Sequence, residues 1–234
     1  MISSCIIIPS RIASNRFLGK PLAMIAGKTM ISRVLEAALQ STADAVIVAT
    51  DDERIYNECE GYATMTGECP NGTARVIEVA NRIKADIYVN LQGDEPLVDP
   101  KDLDKLISRC QQMGGVHTLM TPIEPDDMSN INVVKVIYDN ENKCSDFVRE
   151  EADTDMKHIG IYCFSSDVLL SKLAKLSLSD NSIKNSLEQL TWLDAGIEVY
   201  AWTTYNKYQA VDSLEDIDKV IKILDENSMR NTHL

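Results

Sequence analysis

Cys5-Ile6-Ile7-Ile8-Pro9-Ser10-Arg11-Ile12-Ala13-Ser14-Asn15-Arg16-Phe17-Leu18-Gly19-Lys20-Pro21-Leu22 decides how the rest of the chain is read. Its first four residues form an unbroken apolar, mostly β-branched run, the pattern of a strand buried on both faces of a parallel sheet. Pro9 closes that run, and Arg11, Ser14, Arg16, Gly19 and Lys20 follow at once. In an open α/β sheet, ligands bind beyond the carboxyl ends of the strands. A loop of this composition suits a polyphosphate there: backbone N–H groups and Ser14 donate hydrogen bonds, and Arg11, Arg16 and Lys20 neutralise charge. The bland alternative is a solvated basic loop, which composition alone does not reject. Two familiar phosphate loops are excluded. Gly27-Lys28-Thr29 mimics the end of a P-loop, but Leu22 stands where its first glycine is required, and no Gly-x-Gly-x-x-Gly occurs.

The surrounding charge sharpens this reading. The chain of 234 residues carries 36 acidic against 23 basic side chains, a net charge of -13, which argues against nucleic-acid or anionic-membrane partners. Yet residues 1–35 hold five cations and no Asp or Glu. A hydrophobic fraction of 44% and a charged fraction of 25% fit an ordinary globular chain, and no apolar run approaches the ~20 residues of a membrane helix. Six scattered cysteines without a Cys-x-x-Cys pair predict free thiols in a reducing, cytoplasmic setting. With no basic n-region before the opening strand, the sequon Asn71-Gly72-Thr73 is discounted.

Working outward, strands are expected at 45–49, 62–65 and 87–91, with helices at 29–40, 52–59, 74–83 and 100–113 between them. Such alternation implies a mostly parallel sheet wrapped by helices. Beyond 115 the pattern changes. Half-exposed strands are expected at 133–138 and 197–202, another strand at 158–164, and helices at 166–176, 186–194 and 213–225. The expected architecture is one three-layer α/β/α domain over 1–234, with a smaller β-rich lobe near 115–165.

Two further segments carry chemistry. Gln92-Gly93-Asp94-Glu95-Pro96 follows the strand at 87–91. A carboxylate there is well placed to hold Mg²⁺ against phosphate oxygens, although Gly-Asp and Pro also make an ordinary turn. Val211-Asp212-Ser213-Leu214-Glu215-Asp216 reads equally as a strand end running into a helix cap.

The segment 9–22 resembles the N-terminal signature of the 3-deoxy-manno-octulosonate (Kdo) cytidylyltransferases, roughly Pro-Ala-Arg-x-x-Ser-x-Arg-x-Pro-Gly-Lys-Pro-Leu. Ser10 replaces the usual alanine and Leu18 the usual proline, while every polar and cationic position matches. Gln92-Gly93-Asp94-Glu95-Pro96 is similar to a family hallmark, and 211–216 to its Val-Asp-x-x-Glu-Asp-Leu stretch. Ala49-Thr50-Asp51, Asn71-Gly72-Thr73-Ala74-Arg75, Asn132 to Val136, Lys157 to Tyr162 and Leu187-Glu188-Gln189-Leu190 match in order, so the likeness spans about residues 4–225.

This resemblance implies the nucleotide-diphospho-sugar transferase fold and transfer of CMP from CTP to an acidic sugar. It implies nucleotide contacts from Pro9, Arg11, Ser14, Arg16, Lys20, Asp51, Gly72, Thr73 and Arg75, with Arg11 and Lys20 also acting in catalysis. It implies Mg²⁺ on Asp94 and Asp212, and sugar contacts from Gln92, Arg149, His158, Tyr162, Glu188 and Gln189. The nucleotide part would cover about 1–115 and the sugar part about 116–205, ahead of a terminal helix at 213–226. A homodimer follows by the same analogy, paired through the strands at 133–138 and 197–202. Departures cluster on the sugar side: Val148 stands for a usual serine, 150–155 is short and acidic, and Ser182, Asn185 and Thr191 replace charged residues. They leave open an amino-Kdo variant, another ulosonic or nonulosonic acid, or a non-catalytic CTP-binding protein.

Overall fold

A computed structural model describes residues 2–13 and 17–231. The chain opens with β1 (Ile2–Ser10) and passes through a short hairpin, β2 (Met24–Ile25) and β3 (Lys28–Thr29), into α1 (Met30–Leu39). Then come β4 (Ala45–Thr50), α2 (Glu53–Glu58), β5 (Ala63–Met65), α3 (Gly72–Arg82), β6 (Ala85–Asn90) and α4 (Pro100–Met113). The second half holds β7 (Val116–Pro122), β8 (Lys135–Tyr138), β9 (Cys144–Val148) and β10 (Met156–Ser165). It ends with α5 (Asp180–Asn185), α6 (Glu188–Asp194), β11 (Val199–Thr203) and α7 (Leu214–Asn231). Local chemistry starts these helices. Thr29, Asp52, Asn71 and Asp99 each accept a backbone N–H in the first turn of α1, α2, α3 and α4, and Pro100 occupies the first position of α4.

The central sheet runs β11-β7-β10-β6-β1-β4-β5. Neighbouring strands are parallel except at β10, which is antiparallel to both β6 and β7. β1 lies between β4 and β6, so its run faces two helical layers. Cys5 and Ile7 pack with Val76 and Val79 of α3, whereas Ile6 and Ile8 pack with Ile31 and Val34 of α1 and Leu103 of α4. All four β1 side chains are wholly buried. Each buried isoleucine stabilises by roughly 1.5–3 kcal/mol, which is why no polar residue interrupts the run. Among the described residues no helix is long and apolar enough to cross a membrane.

The β-rich segment is arranged differently from the sequence reading. β7 and β10 are inner strands of the central sheet, and only the antiparallel pair β8–β9 projects from it, joined to β10 at Lys135↔Lys157. Alternation marks a half-exposed strand but does not say which neighbour it joins. The helix expected at 166–176 is a π turn (Val168–Lys172) running into a 3₁₀ turn (Leu173–Lys175). The one expected at 186–194 starts at Glu188, because Ser186, with φ 53, takes the left-handed conformation that ends α5.

Candidate functional site

The parallel strands β1, β4 and β6 end together at Ser10, Thr50 and Asn90, and the loops after β1 and β6 enclose, with the amino end of α3, a cleft of about 390 Å³. The basic loop forms one wall. Its ends are tied by Gly19 N–H donating to the Ile12 carbonyl at 3.2 Å, and Gly19 takes φ 76, a conformation that favours glycine. Pro9, Arg11 and Lys20 line the cleft, whereas Ser14 and Arg16 lie outside the described residues.

Lys20 reaches across to two carboxylates. Its Nζ lies 2.7 Å from Asp94 Oδ2 and 3.5 Å from Asp212 Oδ1. Asp94 and Asp212 are thus gathered on a single cation although 118 positions separate them in the chain. The backbone sets this approach: Val211 N–H donates to the Asp94 carbonyl at 3.0 Å. Asp216 then holds the turn, its Oδ2 accepting from the N–H groups of Asp212 at 3.1 Å and Ser213 at 2.9 Å. Burial opposes the Asp216 charge, but bonds from Lys219, Ser213 and these N–H groups keep its carboxyl below the ordinary range.

Glu95, beside this pair, is enclosed, and its Oε2 has no hydrogen-bond partner among the described residues. Burial, then the negative charges of Asp94 and Asp212, push its carboxyl up to about 8, with Lys20 opposing. Burial and the neighbouring negative charges both favour the neutral form of Glu95. Two hard carboxylates converging on one cation suit Mg²⁺, which takes one or two protein carboxylates and completes its shell with phosphate and water. No group of three or more His, Cys, Asp or Glu that could hold a metal occurs among the described residues.

The amino end of α3 forms the opposite wall. Asn71 caps it by accepting from Ala74 N–H at 2.8 Å. Gly72 comes next, and a Cβ there would lie 3.2 Å from the Gln92 amide and 3.4 Å from Pro9 Cγ. Glycine at this point leaves room for Gln92 in the cleft. Arg75, only 3% exposed, lines the same wall and donates to Thr66 Oγ1 and, at 2.6 Å, to Asp51 Oδ2. Asp51 is thus Arg75's counter-ion and is not part of the lining. Thr73 likewise turns away, donating to Glu188 Oε1.

The expected sugar residues divide. Gln92 lines the cleft. Glu188, Tyr162, His158 and Gln189 sit behind Thr73, at or next to the apolar cluster around Trp192. Burial raises the Glu188 carboxyl, with the Thr73 hydrogen bond opposing. His158 Nε2 is 2.9 Å from Thr118 Oγ1, whose proton goes to the Ile161 carbonyl at 2.8 Å. Nε2 is therefore the donor and carries the ring proton. Burial pushes this imidazole down to about 3. Arg149 is engaged by backbone: its Nε, Nη1 and Nη2 donate to the carbonyls of Asn185, Ile131 and Ser186 at 3.1, 3.1 and 3.3 Å. Sequence reading placed Asn71 and Ser10 in matched segments but gave neither a site role, and it missed the wall residues Met30 and Cys69. Asn71 had a usable signal, a capping asparagine directly before a helix; the others do not stand out by residue type.

Known proteins resemble this chain along most of its length. The cytidylyltransferase family model matches residues 5–199. The 3-deoxy-manno-octulosonate cytidylyltransferase of Myxococcus xanthus is 42% identical over 230 residues, covering 92% of this chain and 93% of its own length. That of Escherichia coli is 35% identical over 246 residues, covering 99% of this chain and 100% of its own. The structure of CMP:2-keto-3-deoxy-manno-octonic acid synthetase complexed with CTP superposes with a TM-score of 0.90 at 34% identity, covering 96% of this chain and 99% of that one. A putative glucose-1-phosphate thymidylyltransferase of Bacillus anthracis, 15% identical with a TM-score of 0.72, shares the fold.

Proposed function

This chain is a nucleotidyltransferase of the 3-deoxy-manno-octulosonate cytidylyltransferase family, and from that premise we propose that it transfers CMP from CTP to 3-deoxy-manno-octulosonate and releases pyrophosphate with the help of Mg²⁺. The observation that carries this reading is the meeting of Lys20, Asp94 and Asp212 in a cleft at the carboxyl edge of the parallel strands.

In this reading the triphosphate lies along the loop that starts at Pro9, with Arg11 and Lys20 neutralising its charge and the amino end of α3 facing it with N–H groups. The sugar's anomeric hydroxyl attacks the α-phosphorus. A new P–O bond forms as the bond to the β-phosphate oxygen breaks, pyrophosphate leaves, and the hydroxyl proton passes to solvent. Such a transfer demands positioning and charge neutralisation more than covalent help from the protein. Asp94 and Asp212 would hold Mg²⁺, whose chemistry there is to neutralise phosphate oxygens and lower the pKa of the attacking hydroxyl.

Gln92 meets the sugar from the cleft side, while neutral His158 presents Nδ1 as an acceptor for a hydroxyl. A homodimer fits the large apolar side chains left in the open, Ile131 at 67% and Tyr205 at 84% exposure. A reducing cytoplasmic setting fits the six free thiols.

The test is pyrophosphate release with CTP, Mg²⁺ and a panel of sugar acids that includes the 8-amino variant and a nonulosonic acid. The proposal expects turnover with 3-deoxy-manno-octulosonate, loss of Mg²⁺-dependent turnover in Asp94→Asn, and a folded Asp94→Asn by circular dichroism. CTP binding without pyrophosphate release from any sugar acid would refute it.

A further inference from the structure

Asn90, at the end of β6, is 1% exposed and lies outside the cleft lining, yet it is hydrogen-bonded on both sides. Its Nδ2 donates to Thr73 Oγ1 at 3.3 Å, and its Oδ1 accepts from Gln92 Nε2 at 2.7 Å. Thr73 in turn donates its one hydroxyl proton to Glu188. The direction of this relay follows from the inventory of donors. The Thr73 hydroxyl has one proton and gives it to Glu188, so toward Asn90 it can only accept. The Thr73 oxygen then receives a proton from whichever atom of Asn90 faces it, which must be the NH₂. That leaves the Asn90 carbonyl facing Gln92, which must answer with its own NH₂. Amide orientations are settled by such networks, and here the Thr73–Glu188 bond anchors the run.

The Gln92 carbonyl oxygen is the end left over. Gln92 lines the cleft, and its Oε1 has no hydrogen-bond partner among the described residues, while it is not one of the enclosed unpaired atoms. The amide lies flat against Gly72, where a Cβ would come within 3.2 Å of both its terminal atoms. It is therefore held by a bond on one side and by packing on the other.

We infer that Asn90 and Thr73 are positioning residues that fix the Gln92 amide with its carbonyl oxygen toward the cleft, so that Gln92 selects a hydrogen-bond donor, a sugar hydroxyl, and turns away the sugar's carboxylate. The inference rests on the reading that the Gln92 side of the cleft receives the sugar. It separates two groups of one substrate. The hydroxyl goes to Gln92 Oε1, and the carboxylate goes to cations or N–H groups elsewhere in the cleft.

A double-mutant cycle tests this, with steady-state KM for 3-deoxy-manno-octulosonate and for CTP as separate readouts. Removing one neutral hydrogen bond is expected to change affinity by about 3- to 10-fold. Asn90→Leu should raise the sugar KM by that factor and leave the CTP KM within about twofold. In a Gln92→Leu background the same substitution should have no further effect, because Asn90 acts through Gln92. Thr73→Val breaks the relay one bond farther away and keeps the test open if Asn90→Leu does not fold, and Thr73→Ser should restore the wild-type sugar KM. Equal, additive losses in both backgrounds, or a rise in CTP KM that matches the sugar's, would overturn the inference. Neither result would touch the proposed reaction, which fails only if the wild-type enzyme makes no CMP-sugar.

Discussion

Lowering the pH should unfold this protein partly through His158. Its ring lies edge-on to Phe147 at 5.0 Å and against Tyr162 at 5.3 Å, with Nε2 donating to Thr118. Burial lowers its pKa from 6.5 to about 3. Across that window the unfolded chain binds a proton that the folded chain refuses. The stability contributed by the neutral ring is therefore complete above the unfolded value of 6.5 and is lost as pH falls toward the folded value. At about pH 5 the group is about 1.5 units below its unfolded pKa, which costs about 2 kcal/mol at ~1.4 kcal/mol per unit. That figure does not depend on how far below 5 the folded value lies. Part of the residue stays accessible, so about 2 kcal/mol is an upper figure.

The assay is urea unfolding of the wild type and of His158→Gln at about pH 7.5 and about pH 5. The quantity of interest is the difference between the two proteins in the stability each loses between the two pH values. The substitution's own destabilisation is common to both pH values and cancels. The other histidines, including His117, whose pKa burial also lowers, are common to both proteins and cancel as well. The wild type should lose about 1–2 kcal/mol more than His158→Gln. Equal losses would refute the buried, neutral imidazole, and with it the assignment of Nδ1 as an acceptor for a sugar hydroxyl.

Three other outcomes follow from the geometry. Lys20→Met should lower kcat/KM with CTP by about 10²- to 10³-fold, the size of loss expected when a group that stabilises developing charge is removed; a change under about threefold in steady-state kinetics would take Lys20 out of the mechanism. Gly72→Ala places a methyl group against the end of the Gln92 side chain, so thermal unfolding should move by less than about 1 kcal/mol in equivalent stability, while the sugar KM rises several-fold. Asp102, 4% exposed, accepts from Thr204 Oγ1 at 2.7 Å, Asn206 Nδ2 at 2.9 Å and Tyr208 Oη at 3.0 Å, tying α4 to the segment that leads to Asp212. Asp102→Ala strands those donors and should cost about 2–4 kcal/mol in urea unfolding, with a higher Mg²⁺ concentration needed for half-maximal rate.

Much of the molecule follows from local pattern. The buried run at 5–8 implies a strand covered on both faces, and β1 has helices on both sides. The boundaries of α4 match the residues from Pro100 to Met113, because Asp99 and Pro100 start a helix and Gly114, with φ 65, stops it. The loop beginning at Pro9 and the acid at 94 are adjacent in the fold because both follow parallel neighbours, β1 and β6, whose carboxyl ends must point the same way. These features depend on residues within a few positions of one another, or on a rule of chain direction.

Long-range pairing is of another kind. Nothing near residue 160 tells that β10 enters the sheet antiparallel between β6 and β7, since its alternation fits any partner. Nothing local to Asp51, Thr73 or Arg149 tells that Arg75, Glu188 and three carbonyls engage them in the folded chain. Whether a polar side chain faces ligand or protein depends on which distant groups reach it first, and that competition is decided by packing. Residue order established the type of strand and the kind of chemistry; the closed fold alone chose the partners, because a hydrogen bond is indifferent to separation along the chain.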